Sequence, residues 1–273
     1  MFLQVPKTSE EWQAVAKDYE AKWNYPLCLG ALDGKHIAII RPTCSGSTYF
    51  NYKGFFSVVL MALVDANYRF LYVNVGATGR SGDAGIFLHS DLKEGMDSNT
   101  MSFPSPEFVP TCNQEFHYHI IGDDAFPLRK DLMKPYPFRN LDHDTQVFNY
   151  RFSRARRTVE NAFGIMANKF RVFHTTIGLE PEFVECIILA TCCLHNFLIE
   201  NQSPHYIGQQ LLDSEDSEHN FIKGKWRDDH ELTDLEPTQA RNATATAKEQ
   251  RSFLKEFFNS ETGKAAWQEN HIH

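Results

Sequence analysis

Carboxylates stand at three places in the chain where a hard divalent cation could be held. Asp33 follows an apolar run and precedes Gly34, Asp123 and Asp124 close a second apolar run after Gly122, and Glu160 adjoins Val159 in a helical pattern. Each has an ordinary explanation. Asp33-Gly34 is a common turn dipeptide, Asp124 could cap the following turn, and Glu160 has Arg156 and Arg157 at helical spacing, where a surface pair stabilises by about 0.2–0.5 kcal/mol. The first apolar run nevertheless continues through Ile37–Ile40. That puts Asp33 inside a core strand or at its bend, where an ionised carboxylate is costly unless a cation accompanies it. Two strand-borne aspartates and a helix-borne glutamate beside a basic helix face are the parts that two-metal phosphoryl transfer needs. Mg²⁺ or Mn²⁺ prefers carboxylate oxygens and keeps positions open for water. Two such ions can activate a water or a 3′-hydroxyl and stabilise the leaving oxygen.

The charge around these acids is uneven. The chain has 273 residues and a formal net charge of −8. Residues 129–171 hold ten Lys/Arg against four acids, whereas residues 213–236 hold nine acids against three bases. The basic stretch is either a solvated helix face or a polyanion-binding surface, with an acidic segment kept apart from it. Lys53, Arg80, Arg129, Lys130, Arg154, Arg156 and Arg157 are the candidates for DNA phosphates, which such side chains hold without reading sequence.

Other chemistries find no support. The six cysteines form no C-x-x-C pair and read as reduced thiols, Cys192-Cys193 as core packing. There is no H-x-x-x-H pair, G-x-S-x-G elbow, Walker A or G-x-G-x-x-G run, so zinc hydrolysis, serine hydrolysis and use of ATP or NAD are not expected. His36 is either a packed histidine or a side chain reaching a phosphate or metal. No stretch of about 18 consecutive apolar residues predicts a membrane span, and the first residues carry no secretory pattern.

The elements that must position the acids follow from periodicity. Residues 8–23 predict a helix with Trp12, Val15, Ala16, Tyr19 and Trp23 at helical spacing. Residues 27–40 predict a strand broken at Asp33-Gly34, and residues 55–78 two long buried strands joined near Asp65. A short helix is expected over 81–92, a loop over 95–115, a strand within 116–128 and irregular chain over 129–150. Val159, Phe163, Met166 and Phe170 mark a helix over 154–173, and residues 183–200, apolar nearly all round, predict a buried core helix. The expected fold is α/β: a ribonuclease-H-like mixed sheet flanked by helices, with a C-terminal helical and acidic extension. The expected division is a helical lead-in (1–27), an endonuclease domain (28–200), an acidic linker (201–240) and a C-terminal helical tail (241–273).

The ordered motifs LGALDGKHI, FFSVVLMALVDANYRFLYVNVG, GRSGDAGIFLHSDL, IIGDDAFPLRKDLMKPY, NYRFSRARRTVENAFGIMANKFRVF and CIILATCCLHNFLI cover about residues 8–200. Together they resemble PIF/Harbinger-type transposases, in particular the DDE-superfamily endonuclease domain shared with Harbinger transposase-derived nucleases. The resemblance implies a D-D-E triad using Mg²⁺ or Mn²⁺. Matched by motif, the triad is Asp33, Asp123 and Glu160, with 36 residues between the last two. It also implies Asp83 as a further metal ligand, although Gly82 and Ala84 replace the family's His and Ser around it. Implied with it are a DNA substrate, residence in the nucleus (with the cytoplasm as a second compartment), homo-oligomers, and a Myb/SANT-like DNA-binding partner, since only about thirty residues precede Asp33 here. The competing expectation is a domesticated, inactive transposase fold serving as a DNA- or protein-binding adaptor.

Overall fold

A computed structural model of the chain describes residues 3–109, 114–139, 141–203, 206–208, 210–229, 232–235 and 243–272. Helix α1 (Ser9–Trp23) starts on Thr8, whose hydroxyl accepts the Glu11 amide, and buries Trp12, Ala16, Tyr19 and Trp23. Three strands follow, β1 (Cys28–Ala38), β2 (Ser57–Val64) and β3 (Phe70–Thr78), paired antiparallel in that order. The break expected at Asp33-Gly34 does not occur: Asp33 pairs with Ala62 and Gly34 with Met61 in unbroken register. Burial of β1 and β2 over nearly their full length overrides the turn preference of the dipeptide.

The segment after β3 holds two short helices, α2 (Asp83–Leu88) and α3 (Asp91–Asp97), in place of one over 81–92. Ser90 separates them, its hydroxyl accepting the Lys93 amide at 3.2 Å as the cap of α3. The expected loop contains a small hairpin, β4 (Glu107–Val109) with β5 (Gln114–Phe116). Strand β6 (His119–Gly122) then lies parallel to β1, and β7 (Leu132–Met133) parallel to β6, so the sheet runs β3-β2-β1-β6-β7. The protein is thus a mixed α/β fold with a mixed sheet flanked by helices.

Helix α4 (His143–Lys169) starts well before Arg154, because Asp142 accepts the Thr145 amide at 2.8 Å and caps it. Its stripe of Val159, Phe163 and Met166 is buried against the sheet. Helix α5 (Pro181–Glu200) is long and apolar enough to cross a membrane by length and composition. It is instead docked on the sheet: Asn196 accepts the Phe70 amide at 2.8 Å and donates to the Phe70 carbonyl at 2.7 Å. It is not the fully buried helix expected from its composition, since Phe183 is 63% and Leu194 49% exposed.

The acidic segment is no linker over its described residues. Strands β8 (Ser214–Glu215) and β9 (Phe221–Ile222) form a hairpin, helix α6 (Trp226–Asp229) follows, and β10 (Thr233–Asp234) joins the main sheet. Strand β10 pairs with β1 through Lys35↔Asp234 and His36↔Thr233, beyond the point where β6 ends its pairing at Leu32. Trp226 seats its ring on Gly164 of α4, where any Cβ would collide with it, and its indole N–H donates to Asn161 Oδ1 at 3.0 Å. Helix α7 (Ala245–Asn259) buries Leu254 and Phe258 in the same core as α1, so the lead-in and the tail share one hydrophobic core with the sheet.

Candidate active site

The two central strands set the first pair of acids. In the parallel register of β1 and β6, Leu32 lies beside Gly122, so Asp33 and Asp123 follow at the same level of adjacent strands. Side chains alternate along a strand, so Lys35 shares the face of Asp33. Its ammonium lies 5.8 Å from the centre of the Phe163 ring, so this face looks at α4. Glu160 comes down from α4 one turn before Phe163, and Asp83 enters from the first residue of α2.

These four acids line one cleft of about 210 Å³ together with Asp124, Asp234, Lys35, Arg156, Arg227 and Leu235. Six carboxylates there face three cations. Lys35 Nζ lies 3.2 Å from Asp33 Oδ2 and also contacts Asp234 Oδ1. Glu160 is bound at both oxygens, Oε1 by Arg156 and Oε2 by Arg227 at 2.8 Å. Arg227 is in turn gripped by Asp213, whose side chain is fully buried, at 2.6 Å. Asp123 Oδ1 accepts the Ala125 amide at 3.0 Å.

The protonation equilibria follow from this crowding. Burial, then the charges of Asp123 and Asp33, push Asp83 well above the usual carboxylate range. Burial and the Asp33 charge push Asp123 up to about 6, against the pull of Arg156. Burial opposes charge on Glu160 too, but Arg156, Lys35 and Arg227 more than offset it and hold it below its usual range. Burial would likewise discharge Lys35, yet Asp33, Asp234 and Glu160 keep its ammonium protonated beyond the ordinary lysine range.

A divalent cation suits this donor set. Among the described residues no hydrogen-bond donor reaches the buried Asp33 Oδ2 or Asp83 Oδ1; the Lys35 contact to Asp33 is an ion pair lacking hydrogen-bond alignment. Asp83 Oδ1 sits so close over Gly34 that a Cβ there would lie 2.5 Å away. Oxygen-only, anionic donors with unmet hydrogen-bonding capacity match Mg²⁺ or Mn²⁺. Among the described residues, however, no three His, Cys, Asp or Glu side chains converge as a ready ligand set.

The phosphate candidates separate. Arg156 lines the cleft. Lys53 and Arg80 are exposed, Lys53 beside a depression that shares Asp234 with the cleft. Arg154 is corrected to a structural role: it is buried, donates to Glu215 and to the Trp23 carbonyl at 2.7 Å, and packs on Trp267. Arg157 is likewise paired with Glu215, at 3.2 Å. Arg129 is held by Asp131 and Asp97 and, with Lys130, lines a separate cavity near Met101 and His117. His36 is a packed histidine, bonded through Nδ1 to Ser57 Oγ at 2.9 Å, with burial lowering its pKa to about 4. The periodicity missed Lys35, Arg227 and Asp234. Only Lys35 had a local signal, its strand spacing of two from Asp33.

The family model for DDE superfamily endonucleases matches residues 32–196. The chain is 26% identical over 209 residues to the protein ALP1-like of Arabidopsis thaliana, covering 74% of this chain and 50% of that one. It is 25% identical over 203 residues to the candidate nucleases named HARBI1 of Bos taurus and Homo sapiens, covering 73% of this chain and 54% of each. The chain therefore spans about half the length of the curated relatives it matches. No solved structure matches it.

Proposed function

We propose, since this chain belongs to the DDE superfamily endonuclease family, that it hydrolyses DNA phosphodiester bonds with Mg²⁺ or Mn²⁺ held by Asp33, Asp83, Asp123 and Glu160. One observation carries this: carboxylates from four separate parts of the chain line a single cleft, two of them with buried oxygens that no donor among the described residues satisfies. The bound ions would supply a nucleophile at neutral pH and charge stabilisation of the leaving oxygen. The chain's own groups have distinct tasks. Asp33 and Asp123, rigid on paired central strands, fix the spacing of the ligands. Lys35 and Arg156 offset carboxylate repulsion, and Arg156 with the exposed Lys53 and Arg80 would draw in the phosphate backbone. The strand order, three antiparallel strands followed by two parallel ones, supports a ribonuclease-H-like core. Nuclear residence, homo-oligomers, a Myb/SANT-like partner and strand transfer by a freed 3′-hydroxyl belong to the same proposal.

A second reading, a catalytically silent DNA- or protein-binding adaptor, is favoured by one observation. Both oxygens of Glu160 are engaged by guanidinium groups. Calorimetric titration of Mn²⁺ into the native protein and into the Asp33→Asn/Asp123→Asn variant separates the two. Uptake that the variant loses supports the nuclease. Equal or absent uptake, with DNA affinity indifferent to Mn²⁺, supports the adaptor.

A further inference from the structure

Helix α7 lies outside residues 32–196, the part of the chain matched by the family model. One side of it is anchored. Ala247, Leu254 and Phe258 enter the core, and Gln250 donates to the His117 carbonyl at 3.1 Å. The charges are sorted around the rest of its surface: Lys248, Arg251 and Lys255 fall at i, i+3 and i+7 on one stripe, and Glu249 and Glu256 on another. Among the described residues no carboxylate forms an ion pair with any of the three cations. Asp142 spends its carboxylate on the Thr145 amide, and Lys255 acts on it only through space. Elsewhere the fold supplies acids to its cations, as it does for Lys35, Arg154, Arg157 and Arg227. In a chain of net charge −8, three adjacent cations without acids are open to an anion from outside.

The stripe is also continuous with the cleft. Arg251 donates from Nη1 to the Pro135 carbonyl at 3.1 Å and lays its guanidinium 4.0 Å from the centre of the Tyr136 ring. Lys255 approaches the same ring, at 5.9 Å. One residue before Pro135, Lys134 Nζ donates to the carbonyl of Asp124 at 2.8 Å, and Asp124 lines the cleft. Burial lowers the pKa of Lys134; the charges of Asp124 and Asp123 oppose this and that of Arg251 adds to it. The cleft acids and the α7 cation therefore act on one ammonium. A line of cations thus runs from the cleft past Tyr136 and along α7. From Lys248 to Lys255 is about 10 Å at 1.5 Å per residue, the rise over which one strand of B-DNA presents about three phosphates.

We infer that Lys248, Arg251 and Lys255, continued by Lys134, hold the phosphates of one strand of a DNA duplex where it leaves the cleft on the Asp124 side. The inference rests on the reading of the cleft as a DNA site, though not on its metal chemistry. None of these four is among the phosphate candidates that the sequence offered. Anisotropy of a labelled duplex of about 30 base pairs, in EDTA so that nothing is cut and over roughly 50–200 mM KCl, reads the contacts as a salt slope. Each phosphate contact contributes about 0.9 to the slope of log affinity against log salt. Lys248→Gln/Arg251→Gln/Lys255→Gln should therefore flatten the slope by about 2–3 and weaken binding at least about tenfold at the lower salt. Lys248→Gln/Lys255→Gln, which leaves Arg251 packed on Tyr136, should flatten it by about 2; circular dichroism would verify that both variants fold. Unchanged slopes overturn the inference, as does native protein that binds no duplex. So does an equal effect of Lys7→Gln/Lys17→Gln/Lys22→Gln, which removes the same charge from exposed positions on and before α1. Manganese titration of the native protein tests the nuclease reading separately: DNA binding that depends on the stripe, without Mn²⁺ uptake, would sink that reading and support this one.

Discussion

Replacing Asp123 with Asn should make the protein more stable at neutral pH while removing a proposed metal ligand. Burial and the Asp33 charge raise the folded-state pKa of Asp123 to about 6 from an ordinary value of 3.8. A raised carboxyl pKa gives stability that is fully present below the unfolded value and lost as pH rises through the folded one. The loss therefore runs from about pH 4 to pH 7. At 1.36 kcal/mol per pKa unit, and allowing for partial exposure of the side chain, it amounts to about 2–3 kcal/mol at pH 7. Asn keeps an oxygen for the Ala125 amide and carries no charge, so urea denaturation at pH 7 should show Asp123→Asn more stable by about that much. Roughly half the gain should remain at pH 5 and almost none at pH 4. Millimolar Mn²⁺ should stabilise the native protein and not the variant, reversing the order. A variant less stable than the native protein at pH 7, or a difference that does not change with pH, would refute the electrostatic reasoning.

Two further outcomes follow from the cleft. Arg227→Gln releases Glu160 Oε2, which Arg227 holds at 2.8 Å. Charge-assisted bonds are worth about 1.5–3 kcal/mol, so Mn²⁺ should bind roughly tenfold more tightly in calorimetry, while the buried Asp213 left unpaired lowers stability; weaker binding would mean that Arg227 orients Glu160 for the metal. Gly34→Ala places a methyl group against Asp83 Oδ1 and Leu235. It should cost about 1–3 kcal/mol in urea denaturation and abolish Mn²⁺ uptake with the sheet intact by circular dichroism; unchanged uptake would remove Asp83 from the site.

Strands β1 and β2 were readable because burial over nearly their full length leaves its mark in composition, whereas β3, expected to be buried, is only half-buried after Leu71. The run ending at Val64 is apolar after Ser57 and the run beginning at Phe70 largely so with Asn74 inside it, and the Asp65 carboxylate holds the turn between them through the amides of Asn67 and Arg69, at 2.8 and 2.9 Å. Asp33, Asp123 and Glu160, the proposed triad, stood out in the sequence because the apolar runs beside the aspartates and the helical stripe beside the glutamate are local features. What escaped was set by long-range contact. The start of α4 depends on one capping residue, Asp142, within a stretch of prolines and charges that has no period. Composition made α5 look buried because an apolar helix that faces solvent has the same residues as one that faces a core. The acidic segment has no periodicity at all, and its order comes from Trp226 on Gly164 and the Asp213–Arg227 pair.

That segment changes how the charge pattern is understood. Segregation by sequence suggested acids kept away from a basic binding face, but the fold interleaves the two. Arg154 and Arg157 of the basic stretch are consumed by Glu215, while Arg227, one of only three bases in the acidic stretch, enters the cleft and caps Glu160. Asp234 of the same stretch meets Lys35 there. Both contacts add a second partner to groups already paired in the cleft, Glu160 with Arg156 and Lys35 with Asp33. On the proposed metal reading, a cation entering the cleft would compete with Arg227 for Glu160, so a residue of the acidic stretch would set the metal affinity although every proposed ligand lies outside it. For that reason the Arg227 variant is more informative than a further ligand deletion. Removing a ligand weakens metal binding under any account of the site, whereas losing an arginine that lines the cleft strengthens it only if that arginine opposes the cation, by holding Glu160 or by its own charge.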